Sequence, residues 1–247
     1  MRSSLVLAVA FSTLIAAPAA AQFPPEHPKN LKVLPMDIPV RSLLDTMRTF
    51  TSALGVRCSF CHVGKEGAPL SSYDFPADDK PEKGKARVML RMVQAINGEH
   101  LTKLASRAQP PIVVGCMTCH RGVSEPRPLE QVILTAYDSA GADSAEARYA
   151  ALRQRYYGRA SYDFSETALA AVSASLISRG KAADAVRFSL LNTRMSPTSG
   201  FAFRQAGEAQ LAAGDTAAAI ASLEHALTIN PNDQQVKRTL DRVKKTP

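Results

Sequence analysis

The sequence predicts a mainly α-helical protein in two parts, and three observations carry that reading. Apolar residues recur at helical spacing between residues 40 and 96. All four cysteines fall in two pentapeptides of one form, each following such a stretch. The last hundred residues repeat with a period of 34. The chain has 247 residues, enough for one large or two small domains, and its 45% apolar and 21% charged content describes a folded protein. The formal net charge of +8 is mild and shows no basic cluster interleaved with aromatics. That excludes a nucleic-acid interface and leaves a solvated basic surface, or one that docks an acidic partner or a membrane surface.

Residues 1–21 read as a secretory signal peptide: Arg2 supplies the positive start, Leu5 to Ala16 the apolar core, and Ala19-Ala20-Ala21 the small-residue cleavage site before Gln22. No cysteine follows that site to take a lipid, and no other apolar run approaches membrane length. The mature protein is therefore expected to be exported and soluble, free in the periplasm or peripheral to the inner membrane.

Residues 22–30 are rich in proline and polar groups and read as an extended arm, and Leu31 to Leu34 as a short strand. A helix follows, with Asp37 as its cap, Pro39 in its first turn and Gly55 just past its end. Val40, Leu43, Leu44, Met47, Phe50 and Leu54 form its apolar stripe. Residues 63–84 read as loop. Lys85 to Asn97 is a second amphipathic helix, with Met89, Met92, Val93 and Ile96 on one face.

The pentapeptides are Cys58-Ser59-Phe60-Cys61-His62 and Cys116-Met117-Thr118-Cys119-His120. Cys-x-x-Cys-His is the attachment pattern of c-type haem: each thiol adds across one porphyrin vinyl group, and the histidine turns onto the iron. A zinc site would set two Cys-x-x-Cys pairs roughly 15–20 residues apart, far closer than these, and a redox dithiol would need only one pair and no histidine. Two motifs that use every cysteine predict two covalently bound haems. Cys58, Cys61, Cys116 and Cys119 are the anchors, with His62 and His120 as proximal iron ligands. Met47 lies eleven residues before Cys58, at most about 16 Å of helix, and its stripe leads straight into the motif. It is thus a candidate sixth ligand, with Met36 as the next. For the second iron, Met89, Met92, His100 and His27 are all available.

Here the residues carry a resemblance. Leu31 to Gly122 resembles the haem-binding segment of the photosynthetic reaction centre cytochrome c subunit family. The matching stretches are N-L-K-V-L-P-M-D-I-P, the helix through Met47 and Phe50, L-G-V-R-C-S-F-C-H, K-A-R-V-M-L-R-M-V-Q-A-I-N and C-M-T-C-H-R-G. The resemblance implies haems along paired helices, with methionine from a preceding helix as sixth ligand. It implies Met47 for the first haem and, as the first methionine of the A-R-x-M-L-x-M pattern, Met89 for the second. That family usually carries four haems, and this sequence has motifs for two.

Past Gly122 the composition shifts. Glu125-Pro126-Arg127-Pro128 reads as a linker, followed by helices over Leu129–Tyr137 and Ser144–Tyr157. Gly180 and Gly214, Ala185 and Ala219, and Pro197 and Pro231 are each 34 apart, the tetratricopeptide period. Phe203, Gly207, Ala219, Leu223, Ala226 and Pro231 fit that pattern in the second unit. In the first, Leu169, Ser173, Ala185 and Pro197 fit, but Asn192 stands where a small residue is expected. The expected organisation is a signal peptide (1–21), an arm (22–30), a dihaem cytochrome c domain (31–127), and a helical linker with tetratricopeptide-like repeats (128–247). The repeat units run over about 166–199 and 200–233, with a capping helix to 245.

The function these features predict is an electron carrier and not an enzyme. Histidine and methionine fill both axial positions of each iron, leaving no place for a substrate. The competing reading is a dihaem peroxidase-like enzyme, with one open haem and His100 or His27 above it. The expected partners are redox proteins, docked through the repeats or within a membrane-associated complex.

Overall fold

The structure is a computed structural model that describes residues 23–24 and 26–245; the signal peptide expected over residues 1–21 lies outside them. The chain divides into two compact units, Met1–Thr118 and Cys119–Pro247. The division falls inside the second pentapeptide, ahead of the Pro-rich segment 125–128. Helices are the regular structure throughout. Among the described residues no strand forms, and one isolated bridge pairs Val63 with Asp74.

In the first unit, Leu31 to Leu34 bends instead of forming the expected strand; a four-residue strand needs a neighbouring strand for its backbone groups, and none is described. Helix α1 spans Val40–Leu54, with Pro39 at its N-cap, no side-chain cap, and Gly55 past its end. Asp37 thus lies outside the helix and is not its cap. The stripe Val40, Leu43, Leu44, Met47, Phe50 and Leu54 is half-buried, while Arg41, Asp45, Arg48 and Ser52 are exposed. Helix α2 spans Pro81–Ala95, starting four residues before the expected Lys85. Proline suits the first helical turn, where its missing N–H has no intrahelical role, and Gly84 is carried inside the helix. A π-helical turn, Ile96–His100, and a short 3₁₀ turn, Leu101–Lys103, continue α2. Helix α3 is the single turn Cys116–His120, and it crosses the division between the units.

The second unit begins with α4, Leu129–Tyr156, which is broken at Ala140 and Gly141, between the two helices expected there. Then come α5 (Glu166–Ser178), α6 (Ala182–Met195), α7 (Gly200–Ala212), α8 (Thr216–Ile229) and α9 (Gln234–Lys245). The pair α7 and α8 begins 34 residues after the pair α5 and α6, helix for helix. Starts are fixed by polar caps: Ser165 accepts from Thr167 N, Ser199 from Ala202 N, and Asp215 from Ala218 N. Leu129, Ile133, Tyr149 and Leu152 of α4 share one core with Leu169, Val172, Leu176 and Phe188. Arg187 of α6 adds a two-pronged bond to Glu146, at 2.8 and 3.0 Å.

Close approach within the second helix pair depends on Gly207. A Cβ there would stand 2.6 Å from Leu223 Cγ, so only glycine lets α7 and α8 meet at this depth. The departure at Asn192 also has a physical account: it is 1% exposed, and its Nδ2 donates to the Glu166 carbonyl at 2.8 Å. A hydrogen bond to the start of α5 replaces the small-residue contact.

Candidate functional site

Both pentapeptides fold as tight right-handed turns. In the first, Cys58–Phe60 is a 3₁₀ turn, and His62 N donates to Cys58 O at 3.0 Å. In the second, α3 is one α-helical turn; Gly115 N donates to Thr118 Oγ1 and Thr118 N to Gly115 O, at 3.0 and 3.1 Å. Residues i, i+3 and i+4 share a face in an α-helical turn, which in α3 are Cys116, Cys119 and His120. None of the four cysteines is paired in a disulfide. Among the described residues no group of three or more His, Cys, Asp or Glu side chains is gathered as a metal-ion cluster.

Each histidine is fixed through its Nδ1. His62 Nδ1 lies 3.2 Å from the Phe75 carbonyl, and His120 Nδ1 lies 3.0 Å from the Val123 carbonyl. A carbonyl only accepts, so Nδ1 carries the proton in both rings and Nε2 keeps the lone pair that binds a metal. At His120 the chain turns back to make this bond: Arg121 and Gly122 have φ of 50° and 87°, and Val123 N donates to His120 O at 3.0 Å. Arg121 in this region carries strain of about 1–2 kcal/mol. The Arg-Gly that follows the second motif therefore aims its histidine. His62 has its imidazolium destabilised, first by burial and then by the Lys83 charge, which holds its pKa below the ordinary imidazole range against the opposing Phe75 bond. A neutral imidazole is the form that ligates iron. Burial, with Glu82 next, raises the Cys61 thiol above its ordinary value.

The segment that follows the first motif, expected only to be loop, supplies its support. The Phe75 ring meets His62 edge-on at 4.9 Å and stacks on Tyr73 at 5.5 Å. Gly64 leaves room for Tyr73, whose ring would lie 2.4 Å from a Cβ there. Lys83 Nζ donates to the carbonyls of Phe75, Pro76 and Ala77 at 2.9, 2.8 and 2.7 Å, and Lys80 Nζ donates to Ser59 O inside the motif. Asp78 takes Lys32, Lys83 and Arg87 at 2.8, 3.0 and 2.9 Å, and with Asn30 these donors hold its carboxyl far below the ordinary range. The arm before α1 is thereby tied down through Asn30. At the other end of α2, Asn97 donates to Val114 O and accepts from Val114 N, both at 2.8 Å. Phe75, Lys83 and Asn97 were not expected from the sequence as site residues. The signal that could have pointed to α2 as their frame was Pro81 at its first turn.

The candidate axial methionines are less enclosed. Met47 is half-buried in the α1 stripe; Met89 and Met92 are 41% and 44% exposed on α2, and Met36 is 71% exposed. His100 and His27 are exposed. Whether the first unit suits a large apolar group can be judged from its burial. Among its described residues only Ala53 is buried, while Val88, Ile112, Val113 and Met117 are exposed. A stretch of this size with no protein core of its own is what a cofactor-filled interior leaves. A cavity of about 350 Å³, lined in part by Thr51, Val56, Cys58, Leu70 and Tyr73, opens beside the first motif. The donor set, the thiol pairs and the uncovered apolar stripes fit haem.

Comparison with known proteins points to one class. Residues 42–139 match the family model of the photosynthetic reaction centre cytochrome C subunit, so this segment resembles that family, and the similarity implies covalently bound c-type haem. Two curated relatives share the likeness. The photosynthetic reaction center cytochrome c subunit of Thermochromatium tepidum is 32% identical over a region covering 32% of this chain and 20% of the relative. Cytochrome c-554 of Chloroflexus aurantiacus is 36% identical over 28% of this chain and 14% of the relative. The chain thus spans a fifth or less of the matched relatives' own length. No described helix is long and apolar enough to cross a membrane.

Proposed function

We propose that this chain is an exported, periplasmic dihaem c-type cytochrome that relays single electrons between redox proteins. The observation that carries the reading is the pair of Cys-x-x-Cys-His turns, each with its histidine Nδ1 fixed by a backbone carbonyl and Nε2 left for a metal. Cys58 and Cys61 would anchor the first haem and Cys116 and Cys119 the second, with His62 and His120 as proximal ligands. Met47 is the proposed sixth ligand of the first haem and Met89 of the second; the resemblance supports both, and Met47 also lies on the half-buried stripe of α1. When bound, each haem supplies a reversible one-electron couple at iron. The chain's own part is to orient each imidazole through its Nδ1 and, with a methionine, to close the iron to other ligands. Haem attachment outside the cytoplasm accords with the leader expected over residues 1–21.

The helical region after residue 128, read as tetratricopeptide-like, is the proposed docking scaffold for a redox partner. One relative is named as a reaction-centre subunit, so a membrane-associated complex is a proposed setting.

Mass spectrometry of the exported protein tests the reading. The expected mass is that of the chain from Gln22 plus two haems, and one haem or none overturns it. Met47→Ala should give carbon monoxide binding at one haem with α1 intact, since alanine is a good helix former. An unchanged spectrum would reassign that ligand.

A further inference from the structure

We propose that Lys83 is a positioning residue for the first haem: its ammonium, held on the same Phe75 carbonyl that receives the His62 Nδ1–H, raises the reduction potential of that haem. The proposal rests on the reading of Cys58–His62 as a haem site.

The geometry is specific. The Phe75 oxygen accepts from His62 at 3.2 Å and from Lys83 at 2.9 Å. The charged donor is the nearer of the two and makes the stronger bond. Two further carbonyls, Pro76 and Ala77, hold the same nitrogen, and the Lys83 side chain is only 12% exposed, so its charge is poorly screened by water.

Two effects follow, and both have the same sign. A carbonyl that shares its lone pairs with an ammonium draws less on the imidazole proton, so His62 keeps less imidazolate character and donates less to iron. Weaker donation disfavours the ferric state. The charge itself also opposes the extra positive charge of ferric iron. Asp78 does not cancel it, because that one carboxylate is shared among Lys32, Lys83 and Arg87.

Optical redox titration of the haem-loaded full chain tests this. Lys83→Met should lower one of the two midpoints by about 59 mV, a tenfold change in the ratio of reduced to oxidised haem, and leave the other in place. Lys83→Gln, which keeps a neutral donor for the loop carbonyls, should show the same fall, so that lost folding is not mistaken for lost charge. Lys83→Arg should stay near the parent value. Lys80→Met removes a cation bonded to Ser59 O and not to the His62 carbonyl, and should shift the midpoint less. Midpoints unmoved in Lys83→Met and Lys83→Gln with both haems attached, or an equal fall in Lys80→Met, would overturn the proposal. Haem content by mass on the same samples separates the two readings: absence of haem from Cys58 and Cys61 would instead overturn the haem assignment.

Discussion

Residues beyond 118 bury Phe188, Leu169, Leu176, Leu223 and a run of alanines, whereas residues 23–118 bury Ala53 alone among those described. The second unit is held by apolar contact between helices, and its polar groups mostly cap and staple. In the first the balance is reversed. Its order comes from ammonium, guanidinium and amide groups bonded to loop carbonyls and to Asp78, while its apolar stripes stay partly open. Hydrogen bonds of this kind specify geometry well and contribute about 1 kcal/mol each when neutral and about 1.5–3 kcal/mol when the donor is charged, less where the pair is exposed. Apolar burial contributes about 1.5–3 kcal/mol per large side chain. The first unit is therefore a precise cradle with little apolar cohesion of its own.

The largest test of that contrast is to withhold haem. Protein made without haem attachment should show rapid hydrogen exchange and proteolysis through residues 40–100, with residues 166–240 still protected. Equal protection of both regions would break the contrast. Next in size, Phe188→Ala should cost the second unit about 3–5 kcal/mol, read by denaturant unfolding, with the haem spectrum of the first motif unchanged before the transition. A smaller effect is expected for Asn97→Ala. It removes both bonds to Val114, about 1–2 kcal/mol in all, and should lower incorporation of the second haem more than the first.

The smallest effect is that of acid on Asp78. Its folded pKa is depressed by Arg87, Lys32, Asn30 and Lys83. Its stabilising contribution is thus present above the unfolded carboxylate value of about 3.9 and fades as pH falls below that value toward the folded one. Near-ultraviolet and haem-band spectra should report loosening around the first motif in that window, and Asp78→Asn should produce it at neutral pH. If acid titration of that variant reproduced the parent profile, the cluster would not be the cause.

Periodic features were legible in the sequence. The stripe of α1, the two Cys-x-x-Cys-His turns and the 34-residue recurrence of the helix starts each follow from residue spacing, and the structure has helices or turns at all of them. The supports of the site were not legible. Phe75, Lys83 and Asn97 act across 13, 8 and 17 residues of chain, and such contacts leave no periodic trace. Leu31–Leu34 has strand composition but no partner strand among the described residues, and Asp37 is a good capping residue placed too early for Pro39. Local propensity decided both expectations; want of a pairing strand reversed the first, and the helix start set at Pro39 reversed the second.

Helix α2 is fastened at both ends, by Lys80 and Lys83 to the first motif and its loop, and through Asn97, just past its last turn, to the segment entering the second. From Lys83 to Asn97 is about 21 Å of helical rise, so the rod works as a fixed ruler. Adding or deleting one residue within it would swing one fastening about 100° around the axis, out of reach of its carbonyl. The stretch between residues 81 and 97 should therefore tolerate substitution on its outer face but no change of length, whereas the loop at 104–113 has no such constraint.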